Sequence, residues 1–265
     1  MKIVAVGIAL ASAVTCSSFS FAADMAVKAA PPAHNPAYNW TGFYIGAHAG
    51  YNWTQSTDVI TLASAGFWDI PGEIHSPNPL DPQGFIGGGQ VGYNWQFSPM
   101  WVAGLEADIS GLDSKRTSVA AGTVDTSRII TASEKMDWFG TVRGRLGITP
   151  TDRFLVYATG GLAYGHVNLA TALTRTTGCA GNNCQQGSVS DTKLGWTVGG
   201  GAEWALANNW SLKGEYLYYD LGSGSHLMTD PLNPATIFAA RADFKGSIAR
   251  AGLNYRFGGP VLATY

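Results

Sequence analysis

The feature that most constrains the fold of this chain of 265 residues is an alternation of apolar and polar side chains with a period of two. In the segment 40–54, the odd positions include Phe43, Ile45, Tyr51 and Trp53, while the even positions are mostly small or polar. Successive side chains of a β-strand point to opposite faces, so this pattern predicts a strand with one apolar face. After residue 22, no stretch keeps the 3.6-residue period of an amphipathic helix.

The alternation recurs and predicts eight strands of roughly 10 to 15 residues. They cover 40–54, 84–96, 101–111, 136–148, 154–169, 194–204, 210–218 and 247–257. Strands of soluble proteins usually have about 5–6 residues, whereas tilted strands that cross a bilayer need about 9–11. In 136–148, the pattern assigns Met136 to the apolar face and Asp137 to the opposite one. Both faces of 154–169 are apolar, so the direction of its side chains stays open.

Short and long connections alternate between the predicted strands. Short turns are expected at 97–100, 149–153 and 207–209, and long loops at 55–83, 112–135, 170–192 and 221–240. An up-and-down sheet produces this order when its turns lie at one end and its loops at the other, as in transmembrane barrels. We therefore predict an all-β fold, an eight-stranded antiparallel up-and-down transmembrane β-barrel with four long extracellular loops and short periplasmic turns.

Charged residues are scarce, and those of the clear strands share one face. They make up 13% of the chain, against about 25% in an ordinary soluble domain. The charges opposite the apolar faces are Glu106, Asp108, Arg143, Arg145, Glu203, Lys213, Glu215 and Arg250. We expect them in the lumen, where the acids of the third strand can pair with the arginines of the fourth, because an unpaired buried charge is costly. Such a barrel has little room beyond its own side chains, so a wide pore is not expected.

Aromatic side chains stand at both ends of the apolar faces. The predicted girdles contain Trp53, Trp138 and Trp196 at the long-loop end, and Trp95, Trp101, Trp204, Trp210 and Phe257 at the short-turn end. Aromatic girdles mark the two bilayer interfaces of membrane barrels. A secreted lipocalin-like barrel, with its apolar face inside, would also alternate. The shortage of lysine and glutamate on the polar face and the tryptophans at strand ends favour the membrane barrel.

The N-terminus has the pattern of a secretory signal peptide. Lys2 precedes an apolar stretch, and Ser20-Phe21-Ala22 places small residues before a cleavage site. We therefore expect residues 1–22 to be a signal peptide and the mature protein to reach the cell outer membrane. The proline-containing segment 23–38 is expected to be a flexible periplasmic lead-in, 39–257 the outer-membrane barrel and 258–265 a C-terminal extension.

Two cysteines, Cys179 and Cys184, remain after the predicted cleavage. An even pair in an exported protein favours a disulfide, and the alternative of a metal site lacks a nearby histidine. The glycines of Gly87-x-Gly89-x-x-Gly92 match a dinucleotide-binding pattern, but the chain continues as a strand and not as the helix that this motif requires. We expect no cofactor, no metal and no catalytic site, and a net charge of -2 does not support binding to nucleic acid.

Four motifs resemble those of the small outer-membrane β-barrel proteins of alphaproteobacteria, often labelled porin family or opacity-type surface barrels. They are Trp40-Thr-Gly-Phe-Tyr-Ile-Gly, Gly87-Gly-Gly-Gln-Val-Gly-Tyr-Asn-Trp-Gln, Phe139-Gly-Thr-Val-Arg-Gly-Arg-Leu-Gly and Gly252-Leu-Asn-Tyr-Arg-Phe. The resemblance implies an eight-stranded outer-membrane barrel with a largely structural and antigenic role and no catalytic residues. Some members resemble haemin-binding proteins and others are called porins.

We therefore expect an outer-membrane protein with a structural or surface-interaction role and a charge-plugged lumen, and not an enzyme. The alternatives are a narrow porin-like channel and capture of haemin or another ligand by the extracellular loops. Expected partners are outer-membrane lipid, an extracellular ligand or host surface, and the barrel assembly machinery, which would read the C-terminal aromatic strand. Phe257 and Tyr265 both qualify as that terminal aromatic residue.

Overall fold

The computed structural model describes residues 38–54, 60–63, 82–122, 125–178, 184–207, 209–230 and 233–258. The predicted signal peptide, most of the lead-in and most of the C-terminal extension lie outside these ranges. Among the described residues, no helix is long and apolar enough to span a membrane. The strands are β1 (Gly42–Thr54), β2 (Ile60–Ala63), β3 (Gln83–Gln96), β4 (Trp101–Ala121), β5 (Arg128–Thr151), β6 (Phe154–Arg175), β7 (Gln185–Ala205), β8 (Trp210–Asp230) and β9 (Asn233–Arg256).

Antiparallel pairing closes these strands into a ring. The order is β1-β3-β4-β5-β6-β7-β8-β9, and β9 pairs with β1 from Tyr44↔Arg256 to Thr54↔Gly246. The short β2 pairs with β9 beyond the end of β1, so β1 and β2 share one position in the wall. The wall therefore has eight strand positions, which confirms the predicted barrel. Closure pairs the backbone groups that an open sheet would expose to lipid.

Several strands are longer than the sequence pattern indicates. The segments expected as long loops at 112–135, 170–192 and 221–240 are mainly strand, and the connections between strands shorten to 122–127, 176–184 and 231–232. These extensions are rich in serine and threonine on the outer face, so they lack the apolar stripe by which the membrane-facing strands were recognised. At the other end, the connections at 97–100, 152–153 and 206–209 are short, as predicted.

A β-bulge in β5 reverses the side on which its residues lie. The pairing of β5 with β6 shifts register between Met136 and Trp138. Met136 is 3% exposed and faces inward, whereas Asp137 lies on the outer surface with its carboxylate 2.5 Å from the Nζ of Lys135. The sequence-based assignment of these two residues is therefore wrong, because one extra residue in a strand exchanges the two faces beyond it.

The interior of the barrel is stacked in three layers. Nearest the short turns is an apolar cluster of Trp40, Val102, Leu155, Tyr157 and Ala205. A polar layer follows, and beyond it a larger apolar cluster fills the extracellular half. The members of this upper cluster nearest the polar layer include Ile86, Phe139, Leu217, Tyr219 and Ile248. The sequence left open which side chains of β6 point inward. In the structure its odd positions face the lumen, where they contribute to both apolar layers.

The lumenal charge cluster and the membrane-facing surface

The charged residues singled out from the sequence meet in the middle layer of the lumen. This lumenal cluster consists of Glu106 and Asp108 on β4, Arg143 and Arg145 on β5, Glu203 on β7, Lys213 and Glu215 on β8, and Arg250 on β9. None of the eight is more than 6% exposed. Four carboxylates face four cations, so the formal charge of the cluster is zero.

The strand register places opposite charges side by side. Glu106 is the cross-strand partner of Arg143, Glu203 of Lys213, and Glu215 of Arg250. Cross-strand neighbours on one face lie about 4.5–5.5 Å apart at Cβ, which is close enough for direct contact. Two of these register pairs, Glu106 with Arg143 and Glu215 with Arg250, are also direct ion pairs, whereas Glu203 pairs with Arg145.

Arg143 lies at the centre of the cluster and contacts both sides of the barrel. Its Nη2 is 2.5 Å from Oε1 of Glu106 and 3.1 Å from Oδ2 of Asp108, both on the adjacent β4. Its Nη1 donates to Oε1 of Glu215 on β8 at 3.0 Å. One planar guanidinium thus joins strands that are not neighbours in the wall, as its several fixed N–H donors allow.

Lys213 and Arg250 complete the contacts across the lumen. The Nζ of Lys213 lies 2.9 Å from each carboxylate oxygen of Glu106, and β8 and β4 occupy opposite positions in the ring. The Nη2 of Arg250 is 2.8 Å from Oδ2 of Asp108 and 2.7 Å from Oε2 of Glu215. These pairs tie opposite walls of the barrel together.

Arg145 and Glu203 form the periplasmic edge of the cluster. The Nη1 of Arg145 is 3.3 Å from Oε2 of Glu203, whose other oxygen accepts hydrogen bonds from Ser211 and Asn254. The guanidinium also lies over the rings of Tyr44 and Tyr157, with its Cζ 4.8 and 5.2 Å from their centroids. Contact with aromatic faces stabilises a desolvated cation.

Two tyrosine hydroxyls reach the polar layer, although neither tyrosine was singled out from the sequence. Tyr44 donates its hydroxyl to Oε2 of Glu106 at 2.6 Å, and Tyr157 donates to Oε1 of Glu215 at 3.0 Å. Tyr44 lies on the small and polar face of its strand, which could have indicated a lumenal position. Tyr157 belongs to β6, whose two faces the sequence could not distinguish.

The lower apolar layer lies beneath the cluster. Trp40 is 2% exposed, its backbone N–H donates to Oε1 of Gln96 at 2.9 Å, and its Nε1 donates to the carbonyl of Asp152 at 3.2 Å. The guanidinium of Arg256 lies 4.5 Å from the ring centroid of Tyr38. Tyr38, the last residue of the predicted flexible lead-in, is therefore docked on the barrel, and the polar layer is enclosed between two apolar ones.

The outer face carries the predicted girdle residues. All eight point away from the lumen; they are Trp53, Trp138 and Trp196 at the extracellular end, and Trp95, Trp101, Trp204, Trp210 and Phe257 at the periplasmic end. The band between them is apolar and includes the exposed side chains of Leu105, Val142, Leu146 and Leu162. Such a surface is suited to hydrocarbon and not to water.

The ion pairs of the lumenal cluster connect the strands, and the described residues show no metal centre. Within the described residues, no three or more histidine, cysteine or acidic side chains are placed to hold a metal ion. Cys184 is disulfide-bonded. Cys179 lies outside the described residues, so the pairing of these two cysteines stays a prediction.

A closed antiparallel barrel with a layer of paired charges in its lumen, an apolar outer band and two aromatic girdles is an outer-membrane β-barrel protein. The chain belongs to the family described as outer membrane protein beta-barrel domain, whose model matches residues 19–257. It is 38% identical over 243 residues to the 31 kDa outer-membrane immunogenic protein of Brucella melitensis, covering 90% of this chain and 93% of that protein. The predicted outer-membrane location is confirmed.

Two further comparisons agree with this assignment. The 22 kDa outer membrane protein of Rhizobium leguminosarum is 34% identical over 201 residues, which are 72% of each chain. The crystal structure of the outer membrane protein OprG from Pseudomonas aeruginosa superposes with a TM-score of 0.51 at 13% identity, covering 85% of this chain and 100% of that one. This last likeness concerns the fold alone.

Proposed function

We propose that this protein is a non-conducting structural barrel whose lumen is plugged by the lumenal cluster. The observation that carries the proposal is the enclosure of eight mutually paired charges between two apolar layers. An ion entering the lumen would have to displace Trp40 or the upper apolar layer and then separate ion pairs that hold opposite walls together. Separating such pairs leaves buried charges without partners, which is strongly unfavourable.

Planar-bilayer recording of the purified, refolded protein tests the plug against the alternative of a narrow porin-like channel. We expect no stepwise conductance in salt solution, while a known porin recorded in the same apparatus gives steps. Reproducible unitary steps from the folded protein would show that the lumen conducts and would overturn the plug.

The strand extensions support a surface-interaction role. They lengthen the barrel on the extracellular side by about ten residues per strand in β4 and β5 and enclose an apolar core of their own. Several relatives are named immunogenic outer-membrane proteins, so we propose that these extensions are the part presented at the cell surface. An epitope tag inserted between Gly122 and Asp125 should be accessible to antibody on intact cells, and a tag detected only after lysis would contradict this.

Two further parts of the proposal concern assembly and ligands. Phe257 faces outward at the end of β9, and its backbone N–H donates to the carbonyl of Phe43 at 2.8 Å. We propose this residue as the signal for the barrel assembly machinery, so Phe257→Ala should reduce outer-membrane levels more than Tyr265→Ala.

We propose no catalytic activity and no haemin capture. A spectral shift on titration of the folded protein with haemin would refute the absence of haemin capture.

A further inference from the structure

The membrane-facing wall of the barrel is indented where β9, β1 and β3 run side by side. Six outward positions there carry alanine or glycine: Ala47, Ala49, Gly87, Gly89, Ala249 and Ala251. They adjoin one another, since Ala49 is the cross-strand partner of both Gly87 and Ala251. Around three of these positions lies a shallow, open groove of about 720 Å³. Its lining consists of the outward residues Ala49, Tyr51, Trp53, Phe85, Ala249 and Ala251, together with Gly50, Ile86, Glu215 and Arg250 of the wall.

Three aromatic rings form a fixed shelf at the extracellular end of the groove. The ring of Tyr51 meets those of Trp53 and Phe85 edge to face, with centroids 5.3 and 5.4 Å apart. All three line the groove. Because Trp53 belongs to the extracellular girdle and the other two rings adjoin it, the groove lies directly beneath the interface, in the half of the wall that faces the outer leaflet.

A cation lies just beyond the shelf. Lys245 points outward on β9, four residues from Ala249, which corresponds to roughly 13 Å along a strand. It forms no ion pair with a carboxylate of the described residues. Asp220 is its partner in register, but the Oδ1 of Asp220 accepts the backbone N–H of Gly222 at 2.8 Å. Between Lys245 and the groove, Tyr216 donates its hydroxyl to Ser247 at 2.7 Å.

We propose that this groove binds an acyl chain of an outer-leaflet lipid whose anionic phosphate headgroup lies at Lys245. At that depth the surrounding medium is hydrocarbon, so a groove left by missing side chains is filled by acyl chain or by another protein. Contact on several sides increases the dispersion attraction that a chain gains over one lying on a convex surface. An interfacial lysine attracts an anionic headgroup, and this favours a phospholipid over a second copy of the chain.

Native mass spectrometry of the folded protein with added phosphatidylglycerol tests the site. The groove is filled in the double variant Ala49→Leu/Ala251→Leu, and the matched control is Ala103→Leu/Ala107→Leu, which adds the same bulk to outward alanines of β4. We expect the groove variant to retain about fivefold less lipid than the wild type, while the control retains as much as the wild type, because only the groove surrounds the chain. Equal retention by the two variants would overturn the proposal.

A single variant gives a second readout that leaves the wall unchanged. Lys245→Ala should abolish the preference for phosphatidylglycerol over phosphatidylcholine, although bound lipid should still be detected. An unchanged preference would remove the headgroup part of the site. If the groove variant instead converts a dimer into a monomer without loss of lipid, the occupant is a second copy and the lipid proposal fails. The shift in gel mobility on boiling shows in each case that the variant is folded.

Discussion

Arg143 and Glu215 form a two-pronged ion pair within the lumen, although they lie 72 residues apart in the chain and on strands that are not neighbours. Nη1 of the arginine is 3.0 Å from Oε1, and Nη2 is 3.2 Å from Oε2 of the glutamate. The same Nη2 also approaches Glu106 and Asp108. A single side chain therefore contacts three carboxylates, whose charge it balances together with Lys213 and Arg250.

Replacing Arg143 should be strongly destabilising. Arg143→Met keeps much of the volume but leaves carboxylates without their central cation, at a cost of about 3–5 kcal/mol in the free energy of unfolding. Urea unfolding in lipid vesicles, followed by tryptophan fluorescence, measures it. The matched control is Lys135→Met on the same strand, where the ion pair with Asp137 is exposed and no measurable change is expected. A similar loss of unfolding free energy in the two variants would show that the buried lumenal ion pairs contribute no more than an exposed pair.

Trp40 should stabilise the barrel from below. Trp40→Ala empties the lower apolar layer, and we expect a loss of about 3–5 kcal/mol. Trp40→Phe keeps most of the apolar volume but loses the hydrogen bond to Asp152, which corresponds to about 1 kcal/mol. Thermal unfolding followed by gel mobility ranks the variants. Trp95→Ala, which removes a lipid-facing tryptophan, is the control, and a loss as large as that of Trp40→Ala would contradict the plug-like role of Trp40.

The facing of the wall can be tested by introducing a charge. Leu105 lies near the middle of the membrane-facing part of β4, 101–111, so Leu105→Arg should cost about 2–4 kcal/mol, as arginine does at the bilayer midplane. Trp95→Arg, at the periplasmic girdle, should cost only about 0–1 kcal/mol for its charge, beyond the loss of the ring that Trp95→Ala reports. Folding into vesicles over a urea series gives both values. Equal charge costs at the two positions would mean that the proposed bilayer boundaries are wrong.

His226 should be neutral under ordinary conditions. It lies on β8, eight residues beyond the outward Tyr218, and its Nε2 is 2.8 Å from the hydroxyl of Thr171. Burial lowers the pKa of His226 below its ordinary value of 6.5. The unfolded segment then takes up a proton before the folded one does, so the stability of this extension is present above about pH 6.5 and declines as the pH falls below it.

An NMR titration of the His226 ring, assigned by its loss in His226→Gln, should give a midpoint below that of a free imidazole. Limited proteolysis of the extensions should become faster as the pH falls from neutral to mildly acidic values. A midpoint at or above the ordinary value would contradict this account.

The strands that the sequence predicted correctly are those with a local alternation of apolar and polar side chains. A period of two identifies a strand wherever one face meets lipid and the other meets a polar lumen, as in β4 from Trp101 to Gly111. The pattern is lost where the outside of the wall is water, and so the strand between Leu112 and Ala121 was expected to be a loop. The bulge after Met136 was also invisible, since one inserted residue changes no local composition.

The amino-acid sequence by itself determined the eight membrane-facing segments and the charges that avoid lipid. These follow from side-chain periodicity, which is set by the geometry of a strand. Only the tertiary structure decided that Arg143 meets Glu215, that Lys213 meets Glu106, and that Trp40 is buried in the layer below them. The physical reason is that partners across a lumen depend on ring closure and strand register, which bring together residues that no local pattern connects.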